Sequence, residues 1–485
     1  MKKKFIFILS IVLLSTYACQ KSSLYPALPT SVSSQDAFST SARISGQVFG
    51  LYSTLKNGQL YGGRYQIYND IKADNWINST ANSVTGYQTW TETVNSTSSE
   101  VINLWAQAYL TINNCNLFID GMNSTGTAVV GTALAANYIA EAKFVRALAY
   151  YALMQMYCVP YSVNNGGSPG VPLQLKGLSA YGNYAMAPAT VAADYAQIIK
   201  DLSDAETALP ATYPDAVSNV TRAHKNSAIA FKTRVYLSMG QYANVITEAN
   251  KIVSLTAPFT ATNGGVPFAL QASIANVFKA PYTTTESVFS APFTIGSTTD
   301  QPGGQNALAD YFNSTGAGEF YINTSSALFT DPNWVSTDAR RGFINKVGTK
   351  TYLTKWPLGA PYLDWANVMR YSEVLLNLAE ARVMTAGPND PQAVALFNAV
   401  HKRSDPTTTY TVASFPSAAA FQSALLEERN IEFLGEGLRW ADLLRLGLAI
   451  PAKSNVASIP VGGYGTSYIW PMSGNEQQTN PLIGR

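Results

Sequence analysis

The chain has 485 residues; at about 150 residues per domain this allows three domains, or one large helical domain with long insertions, and excludes a miniature disulfide-stapled scaffold. Apolar residues make up 47% and charged residues only 13%, with Asn, Ser, Thr, Gly and 28 Tyr supplying uncharged polarity, so there is ample material for a core and no compositional case for disorder. The 32 Lys and Arg balance 30 Asp and Glu, and no long stretch is consistently basic, which argues against nucleic acid as a partner.

At the start, Lys2, Lys3 and Lys4 precede an apolar run from Phe5 to Leu14, followed by Ser15, Thr16, Tyr17 and Ala18. This is the pattern of an export signal over residues 1–18. The run is shorter than the roughly 20 apolar residues that span a bilayer, and no later segment supplies such a run. Removing the signal takes away three lysines and no acid, so the formal charge goes from +2 to +2 − 3 = −1. Cys19 then occupies the place where a bacterial lipoprotein carries the cysteine that receives diacylglycerol. Gln20, Lys21, Ser22 and Ser23 open a polar tether that runs over 19–36, and simple cleavage near Ala18 is the alternative. Two or three acyl chains, at about 0.8 kcal/mol per buried methylene, hold a protein on a membrane that its sequence does not cross. Only three cysteines are present, too few for a disulfide framework in an exported chain. Cys115 and Cys158 lie in apolar helical surroundings and are expected as buried thiols.

Beyond the tether the apolar spacing predicts helices in two blocks, 37–254 and 366–485. Trp105, Tyr109, Ile112, Leu117 and Phe118 recur at helical intervals, as do Ile139, Phe144, Val145, Leu148 and Tyr151. Further helices are predicted near 189–208, 226–239, 242–254, 366–385, 391–402 and 418–446. Between the blocks, 255–365 is rich in Thr, Gly, Asn, Pro and aromatics and is expected to form loops and short strands over a helical scaffold. Ala228, Arg234, Leu237, Gly240, Tyr242 and Ala249 spell helix, glycine turn, helix. Leu376, Ala379, Ala381, Gly387, Ala393 and Leu396 repeat the order. This is the grammar of a tetratricopeptide repeat, though a generic helical hairpin shares it. The fold class expected is mainly α: a tetratricopeptide-like scaffold with long irregular insertions.

For chemistry, the two histidines, His224 and His401, are far apart and lack any metal-ligand spacing. No metal or cofactor is expected. Gly166-Gly167, Gly303-Gly304 and Gly462-Gly463 lack the context of phosphate loops and are turns. Asp70 and Asp74, four apart, are either helix-end carboxylates or a weak cation site, or the acid and base of a glycosidase together with Asp310 or Glu319. Glu432, Glu436, Arg439, Asp442 and Arg445 are spaced to pair along one helical face in a structural role. The aromatic residues Trp76, Tyr87, Trp90, Tyr282, Tyr311, Tyr321 and Trp334 fall in two loop-rich stretches. Sugar rings stack their C–H faces on flat indoles and phenols, and these seven are the candidate ligand-binding residues. Ordinary packing is the competing explanation for each of them.

The run from Glu428 through Phe433-Leu434-Gly435-Glu436-Gly437-Leu438-Arg439-Trp440-Ala441-Asp442 to Gly447 closely resembles the signature of the SusD/RagB family of nutrient-binding lipoproteins. The likeness recurs in Tyr68-Asn69-Asp70, in Trp105, Tyr109, Ile112 and Asn116, in Glu141-Ala142-Lys143-Phe144-Val145-Arg146-Ala147, and in Arg370-Tyr371-Ser372-Glu373. It covers nearly the whole mature chain. The resemblance implies a single domain over 19–485 that is lipid-anchored in the outer membrane and faces outward. It also implies a non-catalytic protein that binds a glycan on loop aromatics and delivers it to a TonB-dependent transporter of the SusC type. Peptide capture, as by the RagB-like members, is the alternative within the family, and a glycoside hydrolase is the alternative outside it. Which glycan is bound is not written in the scaffold.

Overall fold

The computed structural model describes residues 36–483 except 181, 297–299, 461, 463, 466 and 467. The export signal, Cys19 and the tether up to residue 35 lie outside the described residues. The longer helices are α1 (Ser41–Leu55), α2 (Arg64–Ile71), α3 (Ser99–Gly121), α4 (Thr132–Tyr157), α5 (Val191–Ala208), α6 (Lys225–Ser238), α7 (Tyr242–Ala249), α8 (Tyr371–Ala386), α9 (Pro391–Ser404), α10 (Ala418–Glu432) and α11 (Arg439–Arg445). Their starts are chemically marked. Thr40, Thr190, Asp390 and Ser417 accept first-turn backbone N–H groups of α1, α5, α9 and α10, donors that have no partner within the helix. His224 caps α6 by accepting the Ser227 N–H on Nδ1 at 3.3 Å. Burial lowers its pKa to about 3, so the ring stays neutral and able to accept.

The α6–α7 and α8–α9 pairs turn at Gly240 and Gly387, as their sequences predict. Helix α7 packs on both α6 and α8, and α8 packs on α9 and α10; α4 lies between α3 and α5 in the adjoining part of the stack. Each pair therefore buries its face on the next. Cys115 and Cys158 are buried and unpaired, and burial raises both thiols. Among the described residues no helix is long and apolar enough to cross a membrane.

Among the described residues six short strands interrupt the helices: β1 (Trp76–Asn78), β2 (Ser287–Ala291), β3 (Phe320–Ile322), β4 (Ile344–Val347), β5 (Lys350–Leu353) and β6 (Ala366–Arg370). They pair antiparallel as β1 with β3, β2 with β6 and β4 with β5. Three expectations change. The helix predicted from 366 begins at Tyr371, because 366–370 is β6, buried throughout and bonded to β2. The helix predicted to 254 ends at Ala249. The helix predicted over 418–446 is two, broken where Gly435 and Gly437 adopt φ of 84° and 80°. A Cβ on Gly437 would stand 2.5 Å from the Gln66 Cα, so glycine both makes the turn and lets α2 approach.

That break redirects the signature's charges. Glu432 and Glu436 do not pair with Arg439 along one face. Arg370 donates to Glu436 at 2.7 and 2.9 Å, to Glu432 at 2.8 Å and to Glu286 at 2.7 Å. Arg340 and Arg403 also contact Glu432, and Lys355 donates to Glu436 at 2.7 Å. Burial alone would push the Glu432 carboxyl up, but Arg403, Arg370 and Arg340 hold it well below the usual carboxylate range. Only Asp442 and Arg445 pair within the expected set, at 2.9 Å, and Arg445 continues to Glu380 at 2.7 Å. Through this network the 255–365 insertion is tied to α10.

Candidate ligand-binding site

The two loop-rich stretches meet in space. Strand β1 pairs with β3, placing Trp76 opposite Ile322 and Ile77 opposite Tyr321. Side chains alternate along a strand, so Phe320 and Ile322 enter the core while Tyr321 stays partly exposed. The same geometry turns Trp76 inward, where it stacks on Phe312 with ring centroids 4.1 Å apart.

Four of the seven candidate aromatics are core residues. Trp76, Trp90, Tyr311 and Trp334 are 0%, 4%, 0% and 2% exposed. Trp90 donates Nε1–H to the Trp76 carbonyl at 2.8 Å, and Tyr311 stacks on Phe320 at 6.1 Å. Trp334 lies under the Arg341 guanidinium, 3.7 Å from the ring centroid. The expectation that these four present free faces is corrected: they are the hydrophobic floor that lets irregular loops pack, and large aromatics are the residues best suited to that task.

The other three keep some exposure. Tyr87 stacks beside Trp90 at 6.2 Å. Tyr321 has the Lys350 ammonium 5.3 Å from its ring. Tyr282 stacks on Trp365, with centroids 5.3 Å apart and planes 20° from parallel. Trp365 and nearby Tyr362, neither of them among the sequence candidates, are partly exposed as well. A signal for them exists: Ala280-Pro281-Tyr282 and Ala360-Pro361-Tyr362 are the same tripeptide. Both tyrosines have left-handed φ, 62° and 61°, a conformation a bulky side chain seldom takes.

Carboxylates hold these rings. The Tyr282 hydroxyl donates to Asp364 at 2.9 Å, and Asp364 also accepts the Leu358 N–H at 2.7 Å. The Tyr362 hydroxyl donates to Asp310 at 2.6 Å. Burial raises both carboxyls above the ordinary aspartate value, and burial together with the Asp310 contact pushes the Tyr362 hydroxyl up to about 12. The remaining acid candidates lie deeper. Asp70 is fully buried, accepts the Gly437 N–H, and is raised by burial to about 7. Asp74 is buried with the Arg439 Nε 3.7 Å away. Glu319, also buried, accepts the Thr80 hydroxyl. Among the described residues no group of three or more His, Cys, Asp or Glu is placed to hold a metal ion.

A family model described as "Starch-binding associating with outer membrane" matches residues 29–237, and one described as "SusD family" matches 303–481. A solved SusD superfamily protein from Bacteroides fragilis is 31% identical and superposes with a TM-score of 0.82, covering 93% of this chain and 100% of its own. The chain belongs to the SusD family. A curated relative, SusD-like protein P25 of Formosa agariphila, is 24% identical over 83% of this chain and 82% of its own length. Surface glycan-binding protein A from Bacteroides thetaiotaomicron, at 18% identity, shares the fold with a TM-score of 0.72 over 92% of this chain and 98% of its own. Tyr362 and Trp365 lie within the second SusD-family match, whereas Tyr282 lies between the two matched segments.

Proposed function

We propose that this SusD-family chain is a non-catalytic glycan-binding lipoprotein. In this reading it is anchored through Cys19 at the outer face of the outer membrane and hands oligosaccharide to a TonB-dependent transporter of the SusC type. The stacked, partly exposed Tyr282–Trp365 pair carries the proposal, with Tyr362 beside it and Tyr87 and Tyr321 as further ring contacts. A stacked pair whose phenol is pinned to a buried carboxylate is rigid before ligand arrives, so little ordering cost is left to binding. Left-handed φ at both tyrosines supports a ligand role, since strained backbone collects at binding loops. Burial of Asp70 and Asp74 supports a binding role over hydrolysis, which needs two carboxyl groups flanking a substrate bond.

An affinity screen of the mature chain against polysaccharides and peptides tests this, together with Trp365→Ala. Loss of the ring should weaken glycan binding by about tenfold to a hundredfold, equivalent to roughly 1 to 3 kcal/mol. Stability should fall only by the stacking contribution, about 0.5–1.5 kcal/mol. Unchanged glycan affinity in the folded variant overturns the site, binding of peptides alone overturns the ligand class, and release of reducing ends overturns the non-catalytic role.

A further inference from the structure

Helix α1 and strand β2 enclose a cleft of about 410 Å³ that the aromatic loops do not use. Its walls are rings and aliphatic groups: Phe49, Tyr52 and Leu55 from α1, Phe289 and Ala291 from β2, and Tyr61. Phe49 stands at the mouth, 53% exposed. The polar groups at its edge are already committed. The Tyr52 hydroxyl donates to Glu141 at 2.6 Å and accepts the Ala223 N–H at 2.8 Å, so Tyr52 offers the cleft only its ring. Arg222 grips the same Glu141 at 2.7 and 3.0 Å, and Lys56 pairs with Asp300 while donating to the Pro292 carbonyl at 2.9 Å. The charges cancel pairwise, so the cleft selects for a neutral occupant. One group is left over. Ser290 is 1% exposed, and its Oγ has no hydrogen-bond partner among the described residues, a state that buried hydroxyls rarely keep.

Past the Lys56–Asp300 pair the cleft continues into a second cavity of about 290 Å³, which shares Ser53, Lys56 and Asp300 with the first. Apart from that ion pair and the Phe293 ring, its side chains are mainly uncharged and polar, with Asn57, Gln59, Gln301 and Asn306. The Asn306 amide is spent on the Pro302 carbonyl at 2.8 Å and on Gln59 Nε2 at 3.3 Å. Gln59 Oε1, by contrast, is buried without a partner among the described residues. An aromatic chamber with one buried, unpartnered hydroxyl thus adjoins an amide chamber with one buried, unpartnered acceptor. Together they fall in the size range of a small-molecule site, the first chamber lined mainly by apolar groups and the second mainly by polar ones.

We infer that this two-chambered cleft binds a neutral saccharide carrying an aromatic substituent, the ring lodged against Phe49 and the edges of the touching Tyr52 and Phe289 rings, beside Ser290, and the sugar hydroxyls donating to Gln59. An aromatic group suits the first chamber because four rings line it and edge-to-face contacts favour a fifth. A polyol suits the second because it can donate to an amide oxygen without bringing charge. The inference stands apart from the Tyr282–Trp365 platform and does not need it.

Glycine provides the test. Gly50 and Gly46 both lie in α1, and a Cβ at either meets nothing within 4 Å, but only Gly50 lines the cleft. Gly50→Phe therefore plugs the cleft and Gly46→Phe does not, and both fold because glycine is a poor helix residue to begin with. Calorimetric titration of the mature chain with 4-hydroxyphenyl β-D-glucoside should give an affinity at least about tenfold above that for glucose or phenol alone. Gly50→Phe should abolish this binding, Gly46→Phe should retain it, and Ser290→Ala should weaken it several-fold. Equal binding by Gly50→Phe, an aryl glucoside no tighter than glucose, or N-acetylphenylalaninamide binding as tightly as the aryl glucoside overturns the inference.

Discussion

Arg370→Met removes the cation at the centre of the buried network while keeping most of the side chain's apolar volume. Arg370 touches Glu286, Glu432 and Glu436, so the change leaves these three carboxylates to Arg340, Arg403 and Lys355, which also serve Asp338 and Glu428. Three cations then face five carboxylates in a site closed to water. Breaking a buried pair by deleting one partner costs about 3–5 kcal/mol. Unfolding entropy is roughly 2.1 cal/mol/K per residue, and over 485 residues this comes to about 1 kcal/mol/K. The melting temperature should therefore fall by about 3–5 °C in scanning calorimetry. Adding Glu286→Gln to Arg370→Met should recover part of the loss, because Glu286 is then left to share Arg403 with Glu432, and the shortfall from additivity measures the coupling. The pH dependence has a definite sign: orphaned carboxyls are raised, so the folded variant binds protons that its unfolded chain releases. Its deficit against the parent should shrink as pH falls from 7 toward 5. A melting temperature within about 1 °C of the parent, or a deficit that does not vary with pH, refutes the assignment of these charges as the clamp between the insertion and α10.

Trp334→Ala should cost about 3–5 kcal/mol of stability and leave glycan affinity intact, because Trp334 is buried against Arg341 and Phe329; paired melting and titration curves decide between core and platform. Burial raises Asp194 to about 7, so its proton contributes stability that is fully present below the unfolded value near 4 and is lost as pH rises through 7. Asp194→Asn should flatten the decline of melting temperature across that window in a pH series. Cys19→Ala should move the protein from the detergent phase to the aqueous phase on partitioning, and continued membrane association without the transporter would remove the case for lipidation.

The helical scaffold was legible residue by residue. The apolar spacing of Trp105, Tyr109 and Ile112 announces α3, Gly240 and Gly387 mark the turns of two helix pairs, and the run around Glu428–Gly447 points to the family. These are local patterns, set by the 3.6-residue period and by backbone conformations only glycine takes easily, so one stretch of chain is enough to declare them. The ligand site was legible as a region and not as a set of residues. Trp76, Trp334 and Trp365 look alike in sequence, each a tryptophan in a polar loop, yet the first two are floor and the third is partly exposed. That Trp76 turns inward depends on the pairing of β1 with β3, whose partners lie 242 residues apart at Asn78↔Phe320 and 246 apart at Trp76↔Ile322. The partners of Glu432 and Glu436 were hidden for the same reason: Arg370 lies 62 and 66 residues away, on a strand whose five residues continue without a break into a helical pattern. Local propensity determined where this chain is helical, and burial of distant surfaces against one another, which no short window of sequence contains, decided which of its rings and charges meet solvent.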